Sequence, residues 1–200
     1  MLVNLPSTRP NRSVGFSLLE LLVTVAIVAI LAAFAAPSLR TFIVRNTFSN
    51  IGNEFSGSIL RARNEAVSKN ICVTMCVSDT VDNAKPFCKQ AGQDWQVGWI
   101  VFMNPSCDLN YGKDATSNAV TAPNMILVRR AGNPDYTLMA QSSTRRIQFN
   151  ARGNSGSGAL ESFNLDYVNT PLALQYAFNI CLDKMGRTRS IPSTSTCNNF

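Results

Sequence analysis

The stretch VGFSLLELLVTVAIVAILAAFAAPSL, residues 14–39, contains a single charged side chain, Glu20. Residues 16–36 number 21. Coiled as a helix they span about 30 Å, the thickness of a bilayer's hydrocarbon core. Arg9 and Arg12 precede the run, so the positive-inside rule places the N-terminus in the cytoplasm and the bulk of the chain outside it. Two simple readings leave Glu20 unexplained. A cleaved secretory signal accounts for Ala33-Phe34-Ala35, which resembles a signal-peptidase site, but the run exceeds a usual signal core and carries an acid. A plain membrane anchor gives the carboxylate no purpose, although a charge at mid-membrane costs roughly 2.5–3.5 kcal/mol on insertion scales, and less near the end.

A third reading uses the acid. Gly15-Phe16-Ser17-Leu18-Leu19-Glu20 resembles the processing site of type IV pilins and type II secretion pseudopilins. The resemblance implies that a prepilin peptidase cuts between Gly15 and Phe16, that Phe16 becomes the first residue and is N-methylated, and that the apolar helix stays attached. Glu20 is then the fifth residue, where the family has its glutamate, and Pro37 the twenty-second, where many members have a proline. The physics agrees. A free amine at Phe16 and a carboxylate at Glu20 are both costly in lipid unless paired. In a stack of subunits the amine of one can meet the carboxylate of a neighbour, so the acid becomes a device that sets register. Methylation leaves the amine charged. Pro37 removes a helical hydrogen bond and crowds the carbonyl of Ala33, so a kink or local melting is expected there.

Beyond Pro37 the helical pattern continues. Phe48, Ile51, Phe55, Ile59, Ala62 and Ala66 recur at steps of three and four, one apolar stripe suited to lie on a sheet. Gly52 and Gly57 weaken it, each by up to ~1 kcal/mol relative to alanine. Asn70 ends the helix. Strands are expected at 71–77, 96–103, 125–130, 145–150, 159–165 and 173–182, with polar loops at 78–94 and 104–124 and Gly/Asn/Pro/Ser turns elsewhere. The fold class is α+β: a long N-terminal helix, then a small antiparallel β-sheet domain. The division is a cleaved leader at 1–15, a transmembrane and assembly helix at 16–36, its amphipathic continuation at 37–70 and a β-rich globular domain at 71–200. The segments RARNEAVSKNICVTMCVS, DWQVGWIVFMN, IQFNARG and ICLDKMGRTRSI resemble the GspH/FimT branch of minor pilins and pseudopilins. Membership implies a scarce subunit at or near a filament tip, often one that primes assembly.

The 200 residues hold six cysteines and no histidine. Lacking histidine, the chain cannot build Ser-His-Asp or Cys-His catalysis or a His-ligated metal site. The cysteine spacings include no CxxC pair, so no metal or cofactor is expected. An even cysteine count beyond an export signal favours disulfides. Cys76 and Cys88 bracket the first loop, and Cys181 and Cys197 bracket the last hairpin and its tail. Cys72 and Cys107 remain for each other, one of fifteen possible pairings.

Net charge is +6, and the C-terminal half is basic. Arg129, Arg130, Arg145, Arg146 and Arg152 face only Asp135 between residues 125 and 158, and Lys184, Arg187 and Arg189 follow. Asp183-Lys184-Met185-Gly186 reads as a type I turn into a short strand, 187–191. There Arg187 and Arg189 point the same way, ~7 Å apart, a pair suited to phosphate. In FimT-like members a Gly-Arg-x-Arg motif near the C-terminus is associated with DNA binding in natural transformation, and Gly186-Arg187-Thr188-Arg189 matches it. The plain alternative is that basic residues on an edge strand discourage aggregation. Catalysis has no support in the motifs. The expected partners are other pilins or pseudopilins through the N-terminal helix, the prepilin peptidase/methylase, the bacterial inner membrane and double-stranded DNA. The expected location is the inner membrane with the globular domain in the periplasm, then a pilus or, alternatively, a type II secretion pseudopilus.

Overall fold

The computed structural model describes residues 15–156, 160–168 and 170–198; all of the expected leader 1–15 except Gly15, with Arg9 and Arg12, lies outside them. Helix α1 covers Leu18–Lys69. Its helical backbone continues across Pro37, so the local melting expected there does not occur. Two compact units divide the chain at Ile43/Val44. The second unit therefore takes in the C-terminal part of α1 as well as the β-rich region.

The end of α1 has a clear local cause. Asn70 sits in the left-handed region at φ 53°, which asparagine tolerates better than most residues. Its amide bonds the carbonyl of Val67 at 3.3 Å, and the Ile71 amide bonds that of Ala66 at 3.2 Å. These two bonds form a Schellman closure. It turns the chain into β1.

In the second unit the stripe read from the sequence is the buried one. Phe48, Ile51, Phe55, Ile59, Ala62 and Ala66 are all buried, together with Val44. The strands are β1 (Cys72–Val77), β2 (Trp99–Asn104), β3 (Met125–Arg129), β4 (Tyr136–Ala140), β5 (Arg146–Phe149), β6 (Glu161–Tyr167), β7 (Phe178–Leu182) and β8 (Thr188–Pro192). Instead of one sheet they make two antiparallel sheets of four, in the orders β3-β2-β1-β5 and β4-β6-β7-β8. Phe55 of α1 joins the two sheets. Its ring centroid lies 5.5 Å from Trp99 of the first sheet and 4.9 Å from Phe163 of the second, all edge-on. Burying each such ring contributes about 1.5–3 kcal/mol, and the edge-on geometry adds to it. Trp99 places its indole N–H on Ser58 Oγ at 3.1 Å, so the one polar atom of that ring is satisfied.

Two corrections concern the strand reading. The segment expected as one strand from residue 173 is a short helix, α2 (Thr170–Tyr176), followed by β7. Strand β4 was not anticipated. The two helical glycines also differ in kind. At Gly52 a Cβ would stand 2.5 Å from Phe178 Cζ, whereas at Gly57 it would meet nothing within 4 Å. Gly52 is thus required for close approach of β7's first ring, and only Gly57 weakens the helix without a packing return.

Three disulfides form, Cys72–Cys107, Cys76–Cys88 and Cys181–Cys197, with Cα separations of 5.2, 5.5 and 5.6 Å. This is the connectivity the spacings favoured. Strand β1 explains the first two. Val73, Met75 and Val77 enter the main core, while Cys72 and Cys76 face the other way. There the long polar loops fold back over the sheet, and a second small core of Cys76, Cys88, Ile100, Phe102 and Val120 seals it. Each bridge restrains the unfolded chain by ~2–4 kcal/mol.

Candidate functional site

The first unit presents an apolar surface around a helix. Leu18, Leu19, Leu21, Leu22, Val25, Val28, Leu31 and Phe34 are all exposed, and consecutive positions of this kind cover every side of the cylinder. Two of the hydroxyls in its length are turned back on the backbone: Thr24 Oγ1 donates to the Leu21 carbonyl at 2.9 Å and Ser38 Oγ to that of Ala35 at 2.8 Å. A helix with this surface is suited to lipid or to other helices. The unit contains the one span long and apolar enough to cross a membrane among the described residues.

At its start, Gly15, Phe16 and Ser17 precede the helix, and Phe16 is 78% exposed. Ser17 caps the helix: its Oγ accepts from the Glu20 amide at 3.2 Å and its carbonyl from the Leu21 amide at 3.1 Å. Ser17-x-x-Glu20 is therefore half of a capping box. A carboxylate in the first turn also faces the positive end of the helix dipole, an effect worth ~0.3–1 kcal/mol. This local role for Glu20 was missed in the sequence, although Ser followed three residues later by Glu before an apolar run is its signature.

The basic end lies on the second sheet. Hairpin β7–β8 pairs Cys181 with Arg189 and Leu182 with Thr188. Leu182 points into the core, so alternation places Arg187 and Arg189 on the opposite, solvent-facing side. Both are exposed. Strand β8 begins at Thr188 rather than at Arg187. Arg187 instead closes the turn. Its backbone N–H donates to Asp183 Oδ1 at 2.7 Å and its Nε to Asp183 Oδ2 at 2.6 Å. The Asp183 side chain is buried. Burial opposes its ionisation, but the hydrogen bonds and charge of Arg187 outweigh that and hold the carboxyl below its ordinary value. Arg187 thus has a structural role beside any binding one.

Gly186 has an equally plain reason to be glycine. Its φ is +74°, and a Cβ would meet Arg63 Cδ at 2.6 Å and Phe149 Cε1 at 2.9 Å. The turn therefore packs on α1 at Arg63. The Arg63 Nε donates to the Gly153 carbonyl at 3.2 Å, and the Ser155 amide to the Lys184 carbonyl at 2.9 Å. Three elements meet here: α1 at Arg63, the turn that carries Arg152, and the turn that carries Lys184 and Arg187. The remaining arginines do not join them. Arg129 lies on β3, at the far edge of the first sheet, where it pairs with Glu54 at 3.2 Å and stacks over Trp99 at 4.4 Å. Arg130 pairs with Asp82. Arg145 and Arg146 line a separate cavity by Cys88.

Comparison with known proteins agrees with both parts of this description. The sequence model described as type II transport protein GspH matches residues 52–186, and that of the prokaryotic N-terminal methylation motif matches residues 11–36. Comparison with curated proteins finds no match. Among solved structures, the type IV minor pilin FimU of Pseudomonas aeruginosa has a similar fold in two crystal forms. In one it is 18% identical, with a TM-score of 0.52 over 77% of this chain and 95% of that one. In the other the values are 16%, 0.50, 74% and 94%. With a GspH match over more than half its length, a methylation motif at its apolar helix and a pilin fold, this chain belongs to the GspH family of minor pilins and pseudopilins.

Proposed function

We propose that this protein is a minor pilin of a type IV pilus, a subunit that primes or caps the filament. It is cleaved between Gly15 and Phe16 by a prepilin peptidase, N-methylated at Phe16, and held in the bacterial inner membrane with its folded unit in the periplasm until assembly. The observation that carries this reading is the helix at 18–43, apolar on all sides, exposed, and charged only at Glu20 and Arg40. Such a surface is stable in lipid or against like helices and nowhere else. The function is structural, and the partners are other pilins docking through this helix.

A type II secretion pseudopilus is the second reading, favoured by the description of the matched family as type II transport. Deletion of the gene separates the two. The pilus reading expects loss of surface pili and twitching with secretion intact. Loss of secretion with pili retained would assign the chain to the secretion machine.

We further infer that the solvent-facing pair Arg187 and Arg189, with Lys184 in the adjoining turn, binds the phosphate backbone of double-stranded DNA, as in uptake during natural transformation. Two exposed guanidiniums two residues apart, Arg187 closing the turn and Arg189 on the edge strand β8, support it.

A further inference from the structure

A cavity of about 260 Å³ opens on the far side of the first sheet, away from the β7–β8 turn; Cys88, Lys89, Gln90, Lys113, Ser143, Arg145 and Arg146 line it. Its construction follows from the strand register. Arg146 is paired with Cys76 across β1 and β5, so its side chain shares the face that carries the Cys76–Cys88 bridge. The guanidinium is held there by Nη1 donating to the Tyr111 carbonyl at 3.0 Å and by Nη2 against Cys88 Sγ at 3.1 Å. The opposite wall is strapped in place. Gln90 Nε2 donates to the carbonyls of Cys88 at 2.8 Å and Lys113 at 3.2 Å, and the Lys89 amide bonds the Val77 carbonyl at 2.7 Å.

The charge of this site is unbalanced. Lys89 has a carboxylate, Asp79, at 2.9 Å. Among the described residues Lys113 donates to the neutral Asn110 Oδ1, at 2.7 Å. Among the described residues none of Lys113, Arg145 and Arg146 forms an ion pair. Arg146 is the costly one. Burial pushes its pKa below the ordinary arginine value, and the more distant Asp108 opposes the shift without cancelling it. A half-buried guanidinium satisfied by a carbonyl and a sulfur lacks the oxyanion that its planar fork fits best.

We propose that this cavity is a phosphate-binding site, separate from the Arg187/Arg189 pair, and that it takes a free phosphate or the phosphate of a small sugar ester. Three cations that form no ion pair among the described residues, with only the more distant Asp108 acting on Arg146, match a dianion better than a single carboxylate. Arg146 supplies the fixed fork, Lys113 and Arg145 the adjustable charges at the mouth, and Gln90 and Ser143 the neutral polar wall. The volume is below the usual range for drug-sized ligands and excludes a nucleic-acid duplex, which is why the ligand is small.

The test uses the full-length protein in a neutral detergent. Its thermal unfolding midpoint is followed against inorganic phosphate, glucose 6-phosphate, acetate and chloride at constant ionic strength. A ligand specific to the folded state raises the midpoint in a saturable way. The proposal expects that rise with phosphate and not with acetate or chloride. Both exposed mouth residues are changed together in Lys113→Gln/Arg145→Gln, which keeps its midpoint in chloride and needs at least tenfold more phosphate for the same rise. Arg187→Ala/Arg189→Ala keeps the wild-type response. A response to phosphate equal to that of the ester assigns the site to the bare group, and a larger response to the ester assigns the polar wall to the sugar. The proposal is overturned if phosphate acts no differently from chloride, if the Lys113/Arg145 variant responds undiminished, or if the response is lost in the Arg187/Arg189 variant instead.

Discussion

Replacing Glu20 by alanine is expected to abolish incorporation into filaments while leaving the folded unit from Val44 onward intact. The reasoning rests on two charges in one place. Cleavage before Phe16 would create an ammonium four residues from the Glu20 carboxylate, at the end of a helix otherwise apolar on all sides. Each charge is costly in a low-dielectric filament core unless the other, from a neighbouring subunit, is beside it. Removing one partner of such a buried pair costs about 3–5 kcal/mol per contact, enough to reverse docking. The cap geometry offers a competing local account, because Glu20 also sits at the third position of the first turn, above Ser17. Glu20→Gln separates the two. Glutamine serves in a capping box as glutamate does but carries no charge. The register account expects Glu20→Gln to be absent from sheared filaments as fully as Glu20→Ala. Normal incorporation of Glu20→Gln would reduce the acid to a helix cap.

DNA binding is expected to fall on the order of 100-fold at low salt in Arg187→Ala/Arg189→Ala. Two charge-assisted hydrogen bonds to phosphate are each worth ~1.5–3 kcal/mol, and at the low end of that range their loss together accounts for that factor. The salt dependence gives a second signature. Each phosphate contact contributes about 0.9 to the slope of log K against log salt for duplex DNA, so the double variant should lose roughly 2 units of slope. Sequence preference should be slight, because phosphate contacts carry no base information. The protein in neutral detergent, titrated against duplexes at several salt concentrations, reads all three. Arg187 also anchors the Asp183 turn, so the variant's circular dichroism and unfolding midpoint must accompany the titration. Absence of binding by the wild type at low salt would remove the receptor reading and leave a subunit whose work is assembly.

Much of this architecture was legible in the chain, and the reasons are specific. The stripe from Phe48 to Ala66 was readable because α1 buries one face at a period the sequence displays directly. Its end was readable because Asn70 tolerates the left-handed backbone that closes the helix. Cys76–Cys88 and Cys181–Cys197 close the segments their cysteines bracket, whereas Cys72–Cys107 was only the remaining pair of a connectivity the sequence left open. Other features depend on contacts distant in sequence. The split into two sheets is set by which strands pair, and no local pattern of residues 125–192 states it. Strand β4 is five residues between Pro134 and a polar Gln-Ser-Ser-Thr run, too short for its alternation to stand out. Helix α2 was overrun by the strand expected from residue 173, because Tyr176, Phe178, Ile180 and Leu182 alternate behind it, although its own Leu and Ala favour a helix. The signal against that reading was Pro171 near its start, a favoured place for proline in a helix.

At the candidate site the same distinction holds. Gly186-Arg187-Thr188-Arg189 was visible as four letters. Its structural share was not, because the reason Gly186 must be glycine is Arg63, more than a hundred residues away. The sequence could not place the five arginines between residues 125 and 158 on one surface, and they form three separate arrangements: Arg129 and Arg130 in ion pairs, Arg145 and Arg146 at the Cys88 cavity, and Arg152 in the turn beside Gly186. Charge counted along a chain does not say on which surface it will gather.

The most direct measurement is the mass of the protein's N-terminal peptide, recovered from cells with and without an active prepilin peptidase. The account predicts a chain that begins with N-methylated Phe16 in the first case and retains residues 1–15 in the second. Cleavage after Ala35, or an unprocessed N-terminus in cells with the active peptidase, would contradict it, since the helix with Glu20 would then be lost or never released for assembly.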